Sequence, residues 1–248
     1  MNQENKQLKT MLEAEKQEFL TVLSHGLRTP MTVVKGYLDM ILQGDAGELN
    51  NQTRQYIAAA YVGNERGLKL VENMMKVVDV QEQRLKFNLG KVDLAQTVQI
   101  LIHDFELPAK EKDLKIIYHQ MPEPIFVLAD PDRVREILLN LISNAVKFTK
   151  KGSITISHRT ILETQGRLAV VDVTDTGIGI AKEYQSKIFN IFTKENLNLA
   201  GQEKGTGLGL FLSGKLAEAQ NGKVWLEKSV SDEGSTFSAA FPIFEEKK

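Results

Sequence analysis

The sequence predicts two folded units in series: an α-helical hairpin that forms a dimeric four-helix bundle, then an α+β sandwich with a mixed sheet and helices on one face. Three observations support this. From Leu8 to Val78 apolar side chains recur at alternating spacings of about three and four, broken once by the polar stretch QGDAGELNNQT at 43–53. After Phe87 that period stops. From there short runs of β-type composition alternate with helical ones.

The first helix carries Leu8, Leu12, Phe19, Leu23, Leu27, Val34, Leu38 and Ile41 on one seam, and the second carries Ile57, Tyr61, Asn64, Leu68, Val71, Met75 and Val78. Two helices enclose little core, so seams of this kind are satisfied economically by a second copy; a monomeric hairpin packed on the rest of the chain is the alternative. Within the first helix, His25 is followed directly by Gly26 and then by Pro30. Gly inside a helix costs roughly 1 kcal/mol relative to Ala, so a loosened helix is expected around His25.

Gly90 reads as a helix-ending signal, and Asp93 caps a helix expected to reach about Leu107. The boundary therefore falls between a unit at 1–88 and one at 89–248. In the second unit the runs LKIIYH, IFVLAD, SITISH, RLAVVDVTD, KVWLEKS and STFSAAFP read as strands of one sheet. DRVREILLNLISNAVKF, EYQSKIFNIF and GLFLSGKLAEAQ read as helices, and the polar stretch at 193–204 reads as a long loop of the kind that forms lids.

Composition narrows the function by exclusion. Across 248 residues, 31 basic and 32 acidic side chains leave a net charge of −1, which gives no field for nucleic acid or an anionic membrane. The absence of cysteine removes thiolate chemistry and Cys-based metal sites, and fits a reducing compartment. The start MNQENKQLKT is polar, and no apolar run approaches the roughly 20 residues that span a bilayer. A cytoplasmic location is expected, either as a soluble protein or as the cytoplasmic portion of a membrane-anchored sensor.

Three glycine-containing segments mark the second unit: DTGIGI at 175–180, GTGLGL at 205–210 and GST at 234–236. Alternate glycines let backbone N–H groups approach an anionic ligand, and GTGLGL stands just before a helical run whose N-terminus favours anions. Each segment alone also fits an ordinary turn. Asp175 leaves a β-run into the first of these turns, where its carboxylate can accept a hydrogen bond from an exocyclic amine such as that of adenine. Glu136, Asn140, Asn144 and Lys147 form a polar stripe at spacings of four, four and three, beside a helix face of Ile137, Leu138, Leu141, Ile142 and Val146. Asn is a poor helix former, so two on one stripe suggest more than solubility. Their amide oxygens suit Mg²⁺ held partly by water and phosphates, and Lys147 suits a phosphate.

Other nucleotide and catalytic motifs do not fit. GLFLSGKL at 209–216 has P-loop glycine spacing, but Leu216 stands where Ser or Thr should reach the metal, and no strand immediately precedes it. Neither glycine segment has the G-x-G-x-x-G of a dinucleotide fold. His103, His119 and His158 lack metal-ligand spacing. Ser24 and His25 are adjacent, so on a helix they diverge and cannot act as nucleophile and base.

Taken in order, these segments resemble the catalytic core of a sensor histidine kinase of two-component signalling. That core is a dimerisation and phosphoacceptor hairpin followed by an ATP-binding domain of the fold shared with gyrase, Hsp90 and the MutL proteins. SHGLRTP is similar to the phosphoacceptor box, NLISNAVKFT to the Asn box, DTGIGI, GTGLGL and GSTF to the three Gly boxes, and IFNIF to the Phe box.

The resemblance covers nearly the whole chain and implies ATP and Mg²⁺ as cofactors. It implies phosphorylation of His25, Mg²⁺ on Asn144, nucleotide phosphates on Asn140 and Lys147, and adenine on Asp175 in a pocket shaped by Gly177 and Gly179. Gly205, Thr206, Gly207, Leu208 and Gly209 would follow the phosphates beneath a lid at about 193–204, with Thr236 from the third box also at the nucleotide. Lys194 follows the Phe box where the family often has an Arg that contacts phosphate. Phe189 and Phe192 match that box and read equally well as core aromatics. The implied partners are a second copy of the chain, the receiver domain of a response regulator and, if the chain is a fragment, an upstream sensor domain; nucleic acid is not among them.

One residue departs from the family pattern. After the phosphoacceptor His the family usually has Glu or Asp, thought to take the imidazole proton and to assist phosphatase chemistry with the Thr at the position of Thr29. Here that residue is Gly26, and Glu18, the nearer flanking carboxylate, lies about 10 Å away along the helix. Loss of a positioned base typically costs about 10² to 10⁴ in rate. A slow kinase, an ATP-binding dimeric regulatory module and an ATPase of the shared fold therefore all stay open.

Overall fold

A computed structural model of the chain describes residues 3–82, 84–120, 123–164, 166–190 and 207–245, with side-chain surroundings in the first helix from residue 22 onward. The chain divides into two compact units, Met1–Leu85 and Lys86–Lys248.

In the first unit α1 (Gln3–Gln43) and α2 (Asn51–Gln81) form the hairpin. Gly44 and Gly47 adopt φ of +99° and +92° in the connecting turn, which a side chain would resist. Asn50 then caps α2, its side-chain oxygen accepting from the Thr53 N–H at 2.8 Å. The helices are held in register by Asn64, whose Nδ2 donates to the Met31 carbonyl at 2.9 Å. They also approach closely at Gly67, where a Cβ would lie 2.1 Å from Met31 Cε.

The expected loosening at His25 does not occur, because α1 runs unbroken through Gly26 and Pro30. Pro30 lacks an N–H for the Gly26 carbonyl and its ring crowds that carbonyl.

The second unit contains two sheets. β1 (Gly90–Asp93) and β3 (Phe126–Ala129) form an antiparallel ribbon in which Gly90 faces Ala129. This corrects two expectations: Gly90 opens a strand instead of ending a helix, and the 125–130 run belongs to a ribbon of its own. The physical reason is burial, since Val92, Val127 and Ala129 lie within 6% of full burial and need a pairing partner at this edge.

The larger sheet has the order β2-β4-β5-β7-β6, formed by β2 (Leu114–His119), β4 (Gly152–Glu163), β5 (Gly166–Asp175), β6 (Lys223–Val230) and β7 (Gly234–Pro242). Only β2–β4 is parallel. Ile156, Val173 and Phe237 face one another across three strands on the buried side. Against that side pack α3 (Leu94–Glu111), α4 (Pro131–Phe148) and α6 (Gly209–Glu218), through buried Leu101, Leu138, Ile142, Leu212 and Leu216.

Two helices differ in length from the sequence reading. α3 continues through Pro108 to Glu111 instead of ending near Leu107. The helix expected over 183–192 is a single turn, α5 (Lys182–Gln185). Beyond it Ile188 turns inward to 7% exposure and the Phe189 ring meets Phe237 edge-on at 6.5 Å, so core packing overrides the helical pattern. Among the described residues no helix is long and apolar enough to cross a membrane.

Candidate functional site

Two sets of residues are the candidates for chemistry, one in each unit. On α1 the His25 side chain is exposed and makes no hydrogen bond or ion pair with a described residue. Its neighbour Ser24 is fully buried, with an Oγ that lacks a partner, so the two side chains do diverge. Thr29 is exposed one turn further along the face of His25. Gly26 is exposed too, and a Cβ built on it would meet nothing within 4 Å. The fold of this unit therefore places no steric demand for glycine there.

In the second unit the polar stripe depends on how α4 is capped. Asp130 accepts from the N–H groups of Asp132 and Arg133 at its start, with Pro131 in the first turn. At its end the Thr149 N–H and Oγ1 both donate to the Ala145 carbonyl. Between these caps, Asn140 Nδ2 donates to Ser213 Oγ on α6 at 2.9 Å. Asn144 Nδ2 points to Asn140 Oδ1 at 3.5 Å, which leaves Asn144 Oδ1 without a partner among the described residues. Glu136, by contrast, pairs with Arg133 at 2.9 Å. The Lys147 ammonium lies 4.9 Å from the centroid of the Phe148 ring.

Asp175 ends β5 at 7% exposure, with one carboxylate oxygen accepting from the Gly177 N–H at 2.8 Å. Burial pushes its pKa up from the ordinary carboxylate value, against the hydrogen bonds from the backbones of Gly177 and Ser235. The glycines around it are required by the protein's own packing. A Cβ on Gly177 would sit 2.5 Å from the Phe148 carbonyl oxygen, and one on Gly209 would sit 2.3 Å from Asn140 Oδ1. Gly179 has φ +61° and would press on the Val230 carbonyl, while Gly234 has φ +113° and would press on that of Asp175, each at 1.9 Å. These segments are thus held closely against α4, β5 and the end of β6.

Ser229 and Gln185 tie the loops together, and the sequence reading had missed both. The Ile180 N–H donates to Ser229 Oγ at 2.8 Å, and that hydroxyl in turn reaches the Gly234 carbonyl and Ser235 Oγ. Gln185 Nε2 donates to the carbonyls of Ile180 and Ser229. Ser229 lies 49 positions from Ile180, so no local pattern links them. Thr236 Oγ1 meets Thr174 Oγ1 at 3.0 Å, one step along the pairing from Asp175 and Ser235. Gly207 takes φ +70°, and buried Leu208 leads into α6. Lys194, Gly205 and Thr206, with Phe192 and the polar stretch 193–204, lie outside the described residues.

Comparison with known proteins matches both units. Residues 15–83 match the family model described as the His Kinase A (phospho-acceptor) domain. Residues 129–245 match that of the histidine kinase-, DNA gyrase B- and HSP90-like ATPases. The chain belongs to the sensor histidine kinase family. Among its relatives, the circadian input-output histidine kinase CikA of Synechococcus elongatus is 32% identical over 92% of this chain and 30% of its own length. The sensor histidine kinase WalK of Bacillus subtilis is 27% identical over 96% of this chain and 38% of its own. The chain thus spans well under half the length of these relatives. A crystal structure of full-length ShkA in complex with AMPPNP superposes with a TM-score of 0.75 at 28% identity, over 93% of this chain and 47% of that one. Within the family frame, the phosphoacceptor match takes in both helices of the hairpin and the ATPase match begins at Ala129, immediately before Asp130.

Proposed function

We propose that the chain is the catalytic core of a two-component sensor histidine kinase: the unit at 89–248 binds Mg-ATP, and the γ-phosphoryl passes to His25 in the unit at 1–88. One imidazole nitrogen attacks the γ-phosphorus in line, the P–O bond to ADP breaks, and the proton on the other nitrogen of this exposed side chain passes to water. The phosphorylated imidazole then donates to an Asp carboxylate in the receiver domain of a response regulator. The observation that carries this reading is the presence of a buried Asp175 carboxylate, free to accept from an adenine amine, in the same unit as the Asn140–Asn144 pair, in a chain whose other unit presents His25 exposed. The AMPPNP in the ShkA complex supports the nucleotide class.

Asn144 Oδ1 fits a divalent cation, being a hard neutral oxygen with no protein partner among the described residues. Mg²⁺ there would neutralise phosphate charge, with Asn140, Lys147 and the Gly207–Gly209 backbone placing the nucleotide. Asn140 is an amide and cannot act as a base toward water, which favours transfer over hydrolysis. Exposed Leu23, Leu27 and Val34, at 36, 41 and 47%, lie on the seam expected to meet a second copy, which supports a homodimer. ATP and a receiver domain as partners place the core in the cytoplasm.

Gly26 offers no carboxylate to take the imidazole proton, so transfer is slow. The same residue favours a second reading, in which the dimer binds ATP as a regulatory module and transfers nothing. Incubation with γ-labelled ATP separates the two: acid-labile, base-stable label that disappears in His25→Gln is the expected result. Bound nucleotide without label would establish the second reading, and phosphate release independent of His25 would overturn both.

A further inference from the structure

Asp130 does more than cap α4. It is 5% exposed, and its carboxylate divides its bonds between two parts of the chain. Oδ1 accepts from the Asp132 and Arg133 N–H groups at 3.0 and 3.3 Å, which starts α4. Oδ2 accepts from the Asn88 N–H at 2.8 Å, in the segment that leads from α2 into β1. Its backbone N–H donates to Gln220 Oε1 at 2.6 Å, and Gln220, 1% exposed, returns a bond from Nε2 to the Leu216 carbonyl near the end of α6. One residue therefore touches the connecting segment and the ends of both helices that carry Asn140, Asn144 and Gly209.

We infer that Asp130 is a positioning residue that couples the connecting segment to the nucleotide-binding helices. The inference rests on the reading of this unit as an ATP site. A nucleotide bridging the Asn140–Asn144 face of α4 and the start of α6 restrains both helices, and their far ends hold the two faces of Asp130. Restraint of Asp130 strengthens its hold on the Asn88 N–H, so nucleotide binding tightens the point where the chain enters the second unit. Linkage requires the reverse as well: displacing the segment weakens nucleotide binding.

The two oxygens can be separated chemically. In Asp130→Asn the remaining oxygen still caps α4 against two N–H groups, while the amide nitrogen faces the Asn88 N–H and cannot accept from it. Asn88→Pro removes the same bond from the other side and leaves the cap untouched. The test is amide hydrogen exchange of the 84–90 peptide in the full chain, with and without Mg-ATP, alongside affinity for a fluorescent ATP analogue. In the unmodified chain nucleotide should slow exchange of that peptide by at least about fivefold, the lower end of typical couplings. Both variants should lose that slowing while still binding the analogue, since the coupling and not the site is removed. By the same reciprocity they should bind it more weakly, by up to the factor by which nucleotide slows exchange in the unmodified chain. Nucleotide that binds but leaves the exchange unchanged in the unmodified chain, or slows it equally in either variant, overturns the coupling. Failure of the unmodified chain to bind the analogue overturns the ATP-site reading itself, and the coupling with it.

Discussion

Gly26→Glu tests the account of the phosphoacceptor segment most directly, because the structure separates its two effects. No atom beyond the local helix backbone lies within 4 Å of a Cβ at position 26, the position is exposed and the backbone is helical, so a side chain there starts into open space. Replacing Gly inside an exposed helix is worth roughly 0.5 kcal/mol in propensity. That corresponds to about 2–4 °C in the melting midpoint of a unit this size. A positioned carboxylate that takes the imidazole proton is worth about 10² to 10⁴ in rate, or roughly 2.7–5.4 kcal/mol of barrier. The rate effect thus exceeds the stability effect by several-fold, and Gly26→Gln isolates the latter because an amide has the shape but not the basicity. Initial rates of His25 labelling from γ-labelled ATP, with thermal melts in parallel, form the assay. Glu should raise both rate and midpoint, and Gln the midpoint alone. Equal labelling by Glu and Gln, or no gain with Glu, would refute the assignment of Gly26 as the missing base.

Gly234→Ala places a Cβ 1.9 Å from the Asp175 carbonyl oxygen at φ +113°. It should cost about 2 kcal/mol in stability and weaken nucleotide binding at least about tenfold by moving β7 off Asp175; unchanged affinity in a fluorescent-nucleotide titration would count against this geometry. A pH effect is expected at His158, whose Nε2 meets the Tyr118 hydroxyl at 2.8 Å while its Nδ1 is buried without a partner. Burial lowers its pKa, against the pull of Asp172 and Asp93, while burial pushes the Tyr118 hydroxyl up to about 12, so that it stays a donor. The neutral imidazole belongs to the folded state, so this stability is present above the unfolded-state value of about 6.5 and is lost as pH falls below it. Urea midpoints from pH 7.5 to 5 should fall faster for the unmodified chain than for His158→Gln, and parallel profiles would exclude the effect.

The hairpin and the polar and glycine boxes were legible in the chain because each rests on local spacing. Alternating threes and fours set the seam, and Asn140 and Asn144 share a face because they stand four apart on one helix. For DTGIGI the sequence explained the glycines by approach to a ligand, whereas the structure explains them by contact with Phe148 and Val230. What the sequence misplaced were features settled by distant partners. Gly90 opens a strand because Ala129 pairs with it, and the helix after Lys182 stops because Phe189 turns toward Phe237. Ser229, Gln185 and the second role of Asp130 depend on partners 42 to 49 positions away, beyond the reach of any periodicity. By itself the sequence determined the family, the hairpin helices and the position of the Asn and glycine segments, because side-chain type and short-range spacing are properties of the chain. Only the tertiary structure decided which of those residues meet and which backbone groups hold them there, because hydrogen bonds and close packing across the fold exist only once it has formed.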